Sequence, residues 1–207
     1  MGIQSTCIGS LNRGGSDHDA GRALLVLSFF FLAGELVAAF LFHALEHFRH
    51  VFDRVENLGG NVNGALLLDG QRNAVAALRK SISGRIFLGG HSYGGRQAAM
   101  LCAAEPDLVS GLLLLSYPLH PPRKPEQLRI QHLPNLRTQS LFVHGTRDPF
   151  GSIEEIKKAL ALIPAKNELL EVEGAGHDLN FKGKTQRKDL PEQVVLKALE
   201  FFEDGMG

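Results

Sequence analysis

Tryptophan is missing from the 207 residues, tyrosine occurs twice, and cysteine stands only at Cys7 and Cys102. Two cysteines so far apart exclude a disulfide framework and a C-x-x-C redox pair. Neither sign of charge prevails, since Lys plus Arg and Asp plus Glu each number 22. A balanced chain lacks the basic stripe that nucleic-acid backbones select, so nucleic acid is set aside as a partner. Internal repeats and low-complexity tracts are also missing. What is present suits one globular domain with a sizeable core: 44% hydrophobic residues, 13 phenylalanines and 23 glycines. Cys102 falls in an apolar helical run and reads as a small core residue.

Residues 1–64 form an atypical N-terminal segment, and 65–207 the core of the domain. The run 23–42, "ALLVLSFFFLAGELVAAFLF", is long enough to span a bilayer. Its one charge, Glu35, costs about 3 kcal/mol on the insertion scale, and each Leu, Val or Phe returns about 0.3–0.6. The same run also reads as a buried strand, a turn and an amphipathic helix with Val37, Leu41, Leu45, Phe48 and Phe52 on one face. The second reading makes the chain cytoplasmic; the first anchors it in a membrane.

From Gln71 onward the pattern alternates. A helix is expected over 71–82, with apolar positions 74, 75, 78 and 82, after a loop at 58–64. Short β-type runs follow at 85–89, 111–116, 139–144 and 167–173, mostly apolar, as strands covered on both faces are. Helical patterns lie at 94–104, 153–162 and 191–203. Strand and helix in alternation predict a three-layer α/β fold with a mostly parallel sheet. Ser152 with Glu155, and Asp189 with Glu192, predict capping boxes for the last two helices.

The chemistry gathers at strand ends. Gly90-His91-Ser92-Tyr93-Gly94 matches G-x-S-x-G between a strand and a helix. A nucleophile on so sharp a turn has strained dihedrals, and glycine two residues before and two after it relieves the crowding. Gly95 prolongs the small-residue turn. A serine hydroxyl needs a base, and the expected order after such an elbow is acid, then histidine. Asp148 stands just past one later strand and His177 in the glycine-rich loop past the next. Ser152 already fills the role of helix cap, which leaves Asp148 for another. Ser92 as nucleophile, His177 as base and Asp148 as its orienting acid therefore form the candidate triad.

"FLGGHSYGGRQ", "LLLLSYPLHPP", "LFVHGTRDPFGS" and "EVEGAGHDL" together resemble the α/β-hydrolase superfamily, over about Gln71 to Lys184. The likeness is greatest to its dienelactone-hydrolase-like bacterial branch, related to the testis-expressed and non-specific-lethal-complex hydrolase-like proteins. The resemblance implies the same triad, a small-molecule acyl substrate and no metal or organic cofactor. It implies that "SYPLHPP", with Tyr117 and His120, lines the pocket, and that the Tyr93 amide is one oxyanion donor. His120 also reads as a rigid loop residue. The family's early His-Gly-Ala-Gly-type loop, source of a second donor, has no counterpart; "NRGGSDHD" and "FLAGE" are the nearest runs. Residues 1–65 are accordingly expected to be diverged, shortened or out of frame.

His43-Ala-Leu-Glu46-His47 spells H-x-x-E-H, a zinc-peptidase string, but no third ligand with supporting context accompanies it, and an amphipathic helix rich in histidine is preferred. Lys182, Lys184, Arg187 and Lys188 read as a solvated basic loop. The expectation is a serine hydrolase acting on an ester or similar acyl bond. Its rival is a catalytically idle interaction protein on the same fold.

Overall fold

The computed structural model describes residues 64–81, 85–179 and 189–203. The run 23–42, the His43–His47 string and the basic loop at 182–188 lie outside the described residues. Among those described, no helix is long and apolar enough to cross a membrane.

Four parallel strands pair in chain order: β1 (Phe87–His91), β2 (Gly111–Leu115), β3 (Ser140–Gly145) and β4 (Asn167–Val172). Helix α1 (Gly64–Ser81) precedes the sheet, α2 (Ser92–Ala104) joins β1 to β2, α3 (Ile153–Leu160) joins β3 to β4, and α4 (Leu190–Glu203) closes the described chain. Between β2 and β3 the chain runs through a long connection with one 3-10 turn at Leu133–Asn135. Strands β2 and β3 are buried along their whole length, which explains the leucine run of β2 and the apolar centre of β3, Leu141–Val143.

Side chains alternate across the sheet and split the core in two. Leu88, Leu112, Leu114 and Phe142 pack with α1, α2 and α3. Phe87, Leu113, Leu115, Leu141 and Val143 pack with α4, which contributes Val194, Val195, Ala198, Phe201 and Phe202. Each large apolar side chain so buried stabilises by about 1.5–3 kcal/mol relative to exposure. Gly111 admits the Phe202 ring, because a Cβ there would lie 2.5 Å from Phe202 Cε1. At the end of α4, Arg85 and Lys166 donate to the carbonyls of Phe202 and Phe201 at 3.0 and 2.7 Å. They satisfy groups the helix leaves open, with cations where the helix dipole favours them.

Helix α1 starts seven residues before the expected Gln71. The Leu-rich run before Gln71 carries the helical face backward from Val75 and Leu78 to Leu68. Strand β1 is shifted two residues toward the C-terminus, because Gly90 and His91 stay in register with Leu114 and Leu115 of β2. Helix α3 opens with the expected capping box of Ser152 and Glu155. At α4, the Asp189 carboxylate accepts from Gln193 Nε2 at 2.7 Å.

Candidate active site

The site lies beyond the C-terminal ends of β1, β3 and β4, where open parallel sheets carry their functional groups. Strand β1 passes straight into α2 with no intervening loop, and Ser92, the first helical residue, has φ 51°. That left-handed backbone is costly for a residue with a Cβ and persists only when its surroundings enforce it. The enforcement is visible at Gly90, where a Cβ would sit 2.5 Å from Gly95 N and 2.6 Å from the Gly94 carbonyl carbon. Gly95 is equally confined, its added Cβ meeting Gly90 O at 2.6 Å. Gly94 differs from expectation: a Cβ there meets nothing within 4 Å. The close approach is thus between the residues two before and three after the serine.

Three side chains form one relay. His177 Nε2 lies 2.7 Å from Ser92 Oγ, and His177 Nδ1 lies 2.8 Å from Asp148 Oδ2. The carboxylate fixes the tautomer: Nδ1–H donates to Asp148, and the Nε2 lone pair faces the serine hydroxyl. The Asp148 side chain is wholly buried, with its other oxygen accepting from Phe150 N–H at 2.8 Å. His177 retains partial exposure, at 22% of its side chain, so the relay is open to solvent only at the serine end.

The loops that carry the acid and the base are bonded to each other. Thr146 N–H donates to Val172 O, Arg147 N–H to Ala175 O and Gly174 N–H to Thr146 Oγ1. Gly145 makes this contact possible, since a Cβ there would collide with the carbonyl oxygens of Ala175 and Gly176.

Three further residues surround the relay, and sequence reading assigned none of them this part. His91 Nε2–H donates to the His177 carbonyl at 2.7 Å, and its ring meets the His177 ring edge-on at 5.1 Å. Burial pushes the His91 pKa down to about 4, so it bears no second positive charge at neutral pH. His144, buried on β3, donates from Nε2 to Gly151 O at 2.8 Å and lies 3.7 Å from Asp148 Oδ2. Burial lowers its pKa as well, against the pull of Asp148. Phe150 stacks on His177 with ring centroids 4.1 Å apart and planes 31° from parallel. His144 falls on the same side of β3 as Phe142, an apolar face where a histidine stands out. Phe150 follows the acid by only two residues.

Tyr117 and His120, the two residues expected to line the pocket, are both buried. Tyr117 is buried in the core against the Phe142 ring, and its hydroxyl lies 2.9 Å from His132 Nε2. His120 is buried, with Nδ1 donating to Pro121 O at 2.8 Å and Nε2 3.5 Å from Glu155 Oε2. It braces the start of α3, and its own amide donates to Phe150 O. Cys102, on α2, is buried and its thiol is pushed up to about 12 by burial. No group of three or more His, Cys, Asp or Glu among the described residues is placed to hold a metal ion.

The sequence of residues 38–203 matches the family model for an alpha/beta hydrolase domain. Solved structures of the same fold include an alpha-beta serine hydrolase homologue from Coxiella burnetii (TM-score 0.53, 21% identity, 67% of this chain and 62% of that one). A predicted CIB-like hydrolase from Thermoplasma acidophilum is similar (TM-score 0.52, 21% identity, 69% and 60%). So is a dienelactone hydrolase from Anabaena variabilis (TM-score 0.54, 18% identity, 75% and 67%). The chain spans only about three fifths of the length of the first two.

Proposed function

The chain belongs to the α/β-hydrolase family, and from that premise we propose that it is a serine hydrolase cleaving an ester or related acyl bond of a small molecule. The observation that carries the reading is the relay from Ser92 Oγ through His177 to Asp148, at 2.7 and 2.8 Å. In this reading Ser92 Oγ attacks the carbonyl carbon as its proton passes to His177 Nε2, giving a tetrahedral oxyanion and an imidazolium. Asp148 holds the ring in the reactive tautomer and offsets its charge. His177 then gives the proton to the leaving group, and an acyl-enzyme on Ser92 remains. Water, deprotonated by the same imidazole, releases the acid.

The oxyanion requires N–H donors aimed at it. The Tyr93 amide is the first candidate, because the first amides of a helix have no acceptor within it, and α2 begins at Ser92. The same helix end favours negative charge at this point.

Covalent labelling tests the reading. A fluorophosphonate probe is expected to modify Ser92, located by peptide mass spectrometry, and to leave the Ser92→Ala variant unlabelled. Folded wild-type protein that takes no label at Ser92 would overturn the proposal and leave the idle, binding-only reading in its place.

A further inference from the structure

Phe150 does more than fill space beside the relay. Its amide holds Asp148 Oδ1 at 2.8 Å, its carbonyl accepts from His120 N–H at 3.0 Å, and its ring covers the face of His177 at 4.1 Å. An aromatic face carries partial negative charge and attracts a cation within about 6 Å of its centroid. His177 is neutral when it meets the serine and cationic once it has taken the Oγ proton. The ring therefore contacts the one group of the site whose charge changes during the reaction, and from the side opposite in character to that charge.

We propose that Phe150 is a positioning residue that stabilises the imidazolium form of His177 through its ring face. The contribution to turnover rests on the hydrolase reading above; the stabilisation of the cation does not. The Oγ–H bond of Ser92 breaks, the Nε2–H bond of His177 forms, and the positive charge so created lies between the Asp148 carboxylate at its edge and the Phe150 ring at its face. The other titratable groups near the imidazole are His91 from β1 and His144 from β3, with Asp178 next in the chain, and none of them changes in the test below.

Phe150→Leu keeps an apolar cover and the backbone bonds but removes the π face. The His177 ring signals of the full chain, assigned by their loss in His177→Gln, are followed by NMR from pH 4 to 9. A cation stabilised by the ring loses that support in Phe150→Leu, so the titration midpoint is expected to fall by about 0.5–1 unit. Phe150→Tyr, which keeps the face, is expected to titrate as wild type. On any ester that the wild type hydrolyses, kcat is expected to drop about 3- to 10-fold in Phe150→Leu at constant KM. The acid limb of its rate profile should move to lower pH by the same amount as the midpoint. Pentafluorophenylalanine at position 150, equal in shape but reversed in ring polarity, repeats the test if Phe150→Leu does not fold. An unchanged or raised midpoint, or Phe150→Tyr behaving as Phe150→Leu, overturns the proposal. A shifted midpoint in a protein whose wild type hydrolyses nothing would sink the hydrolase reading and keep the ring's effect; normal hydrolysis with an unmoved midpoint would do the reverse.

Discussion

Among the described residues, one face of the sheet is closed by α4 with Ala175 and Leu179 beside it; Phe201 and Phe202 pack edge to face at 5.0 Å and Phe87 against Phe202 at 4.6 Å. The opposite face is closed by α1, α2, α3 and the 3-10 turn, and it admits polar groups. Gln71 and Gln97 are buried on α1 and α2, and Ser140 and His144 alternate with Phe142 on β3. The cluster packed against α4 is built from Phe, Leu, Val and Ala side chains. The α4 face is thus a stability element whose parts are interchangeable with other well-packed apolar groups. The α2 face is a frame that sets positions, because its helix begins at the serine itself.

The largest expected effect breaks the site and spares both faces. Asp148→Asn presents an amide to His177 Nδ1 and favours the wrong tautomer; labelling of Ser92 is expected to slow by about 10⁴-fold with the fold retained. Rates of fluorophosphonate labelling, with circular dichroism as the control, decide it. Next is a break on the α4 face. Phe202→Ala is expected to cost about 3–5 kcal/mol in denaturant unfolding. The labelling rate of the folded fraction should stay within about twofold of wild type. A hundredfold loss there would show that the two faces are not separable.

A smaller effect sharpens the account of the elbow. Gly90→Ala drives a methyl into the α2 backbone and is expected to cost about 1–3 kcal/mol and to slow labelling. Gly94→Ala has open space and should be neutral or stabilising by up to about 1 kcal/mol. Equal costs for the two variants in urea titrations would refute the crowding argument. A separate effect is on pH. Burial holds His91 at about 4, and burial with a lesser push from Arg96 holds His132 at about 4. The unfolded chain binds protons at these sites from about 6.5. Stability should therefore be fully present above pH 6.5 and lost progressively as pH falls toward 4. His132→Gln is expected to flatten that slope in melting temperatures recorded against pH, and an identical slope would reject the assignment.

Much of the fold could be read from the chain because β2 is buried on both faces and so is continuous in apolar residues, and β3 carries the apolar run Leu141–Val143 at its centre. The ends of elements were harder to read. Glycines at 89, 90, 94 and 95 look like a loop, yet the first two are in β1 and the last two in α2. Their smallness serves a close approach between strand and helix instead of a flexible link. The three residues of the relay were legible because each follows a strand. His91, His144 and Phe150 were not, since their parts depend on which loops meet in space. Tyr117 and His120 were placed by resemblance, and local sequence could not tell that the tyrosine ring turns into the core toward Phe142.

The mutual bonding of the acid and base loops bears on when order is acquired. Thr146, Arg147 and Gly174 tie the ends of β3 and β4 together through three backbone donors, before any side chain of the relay is considered. An imidazole on a free loop would have to find its carboxylate anew with every encounter, at an entropic cost. Here that search ends when the polypeptide folds. The acid–base pair becomes a preassembled unit against which the serine is set, and an arriving molecule needs only to orient itself.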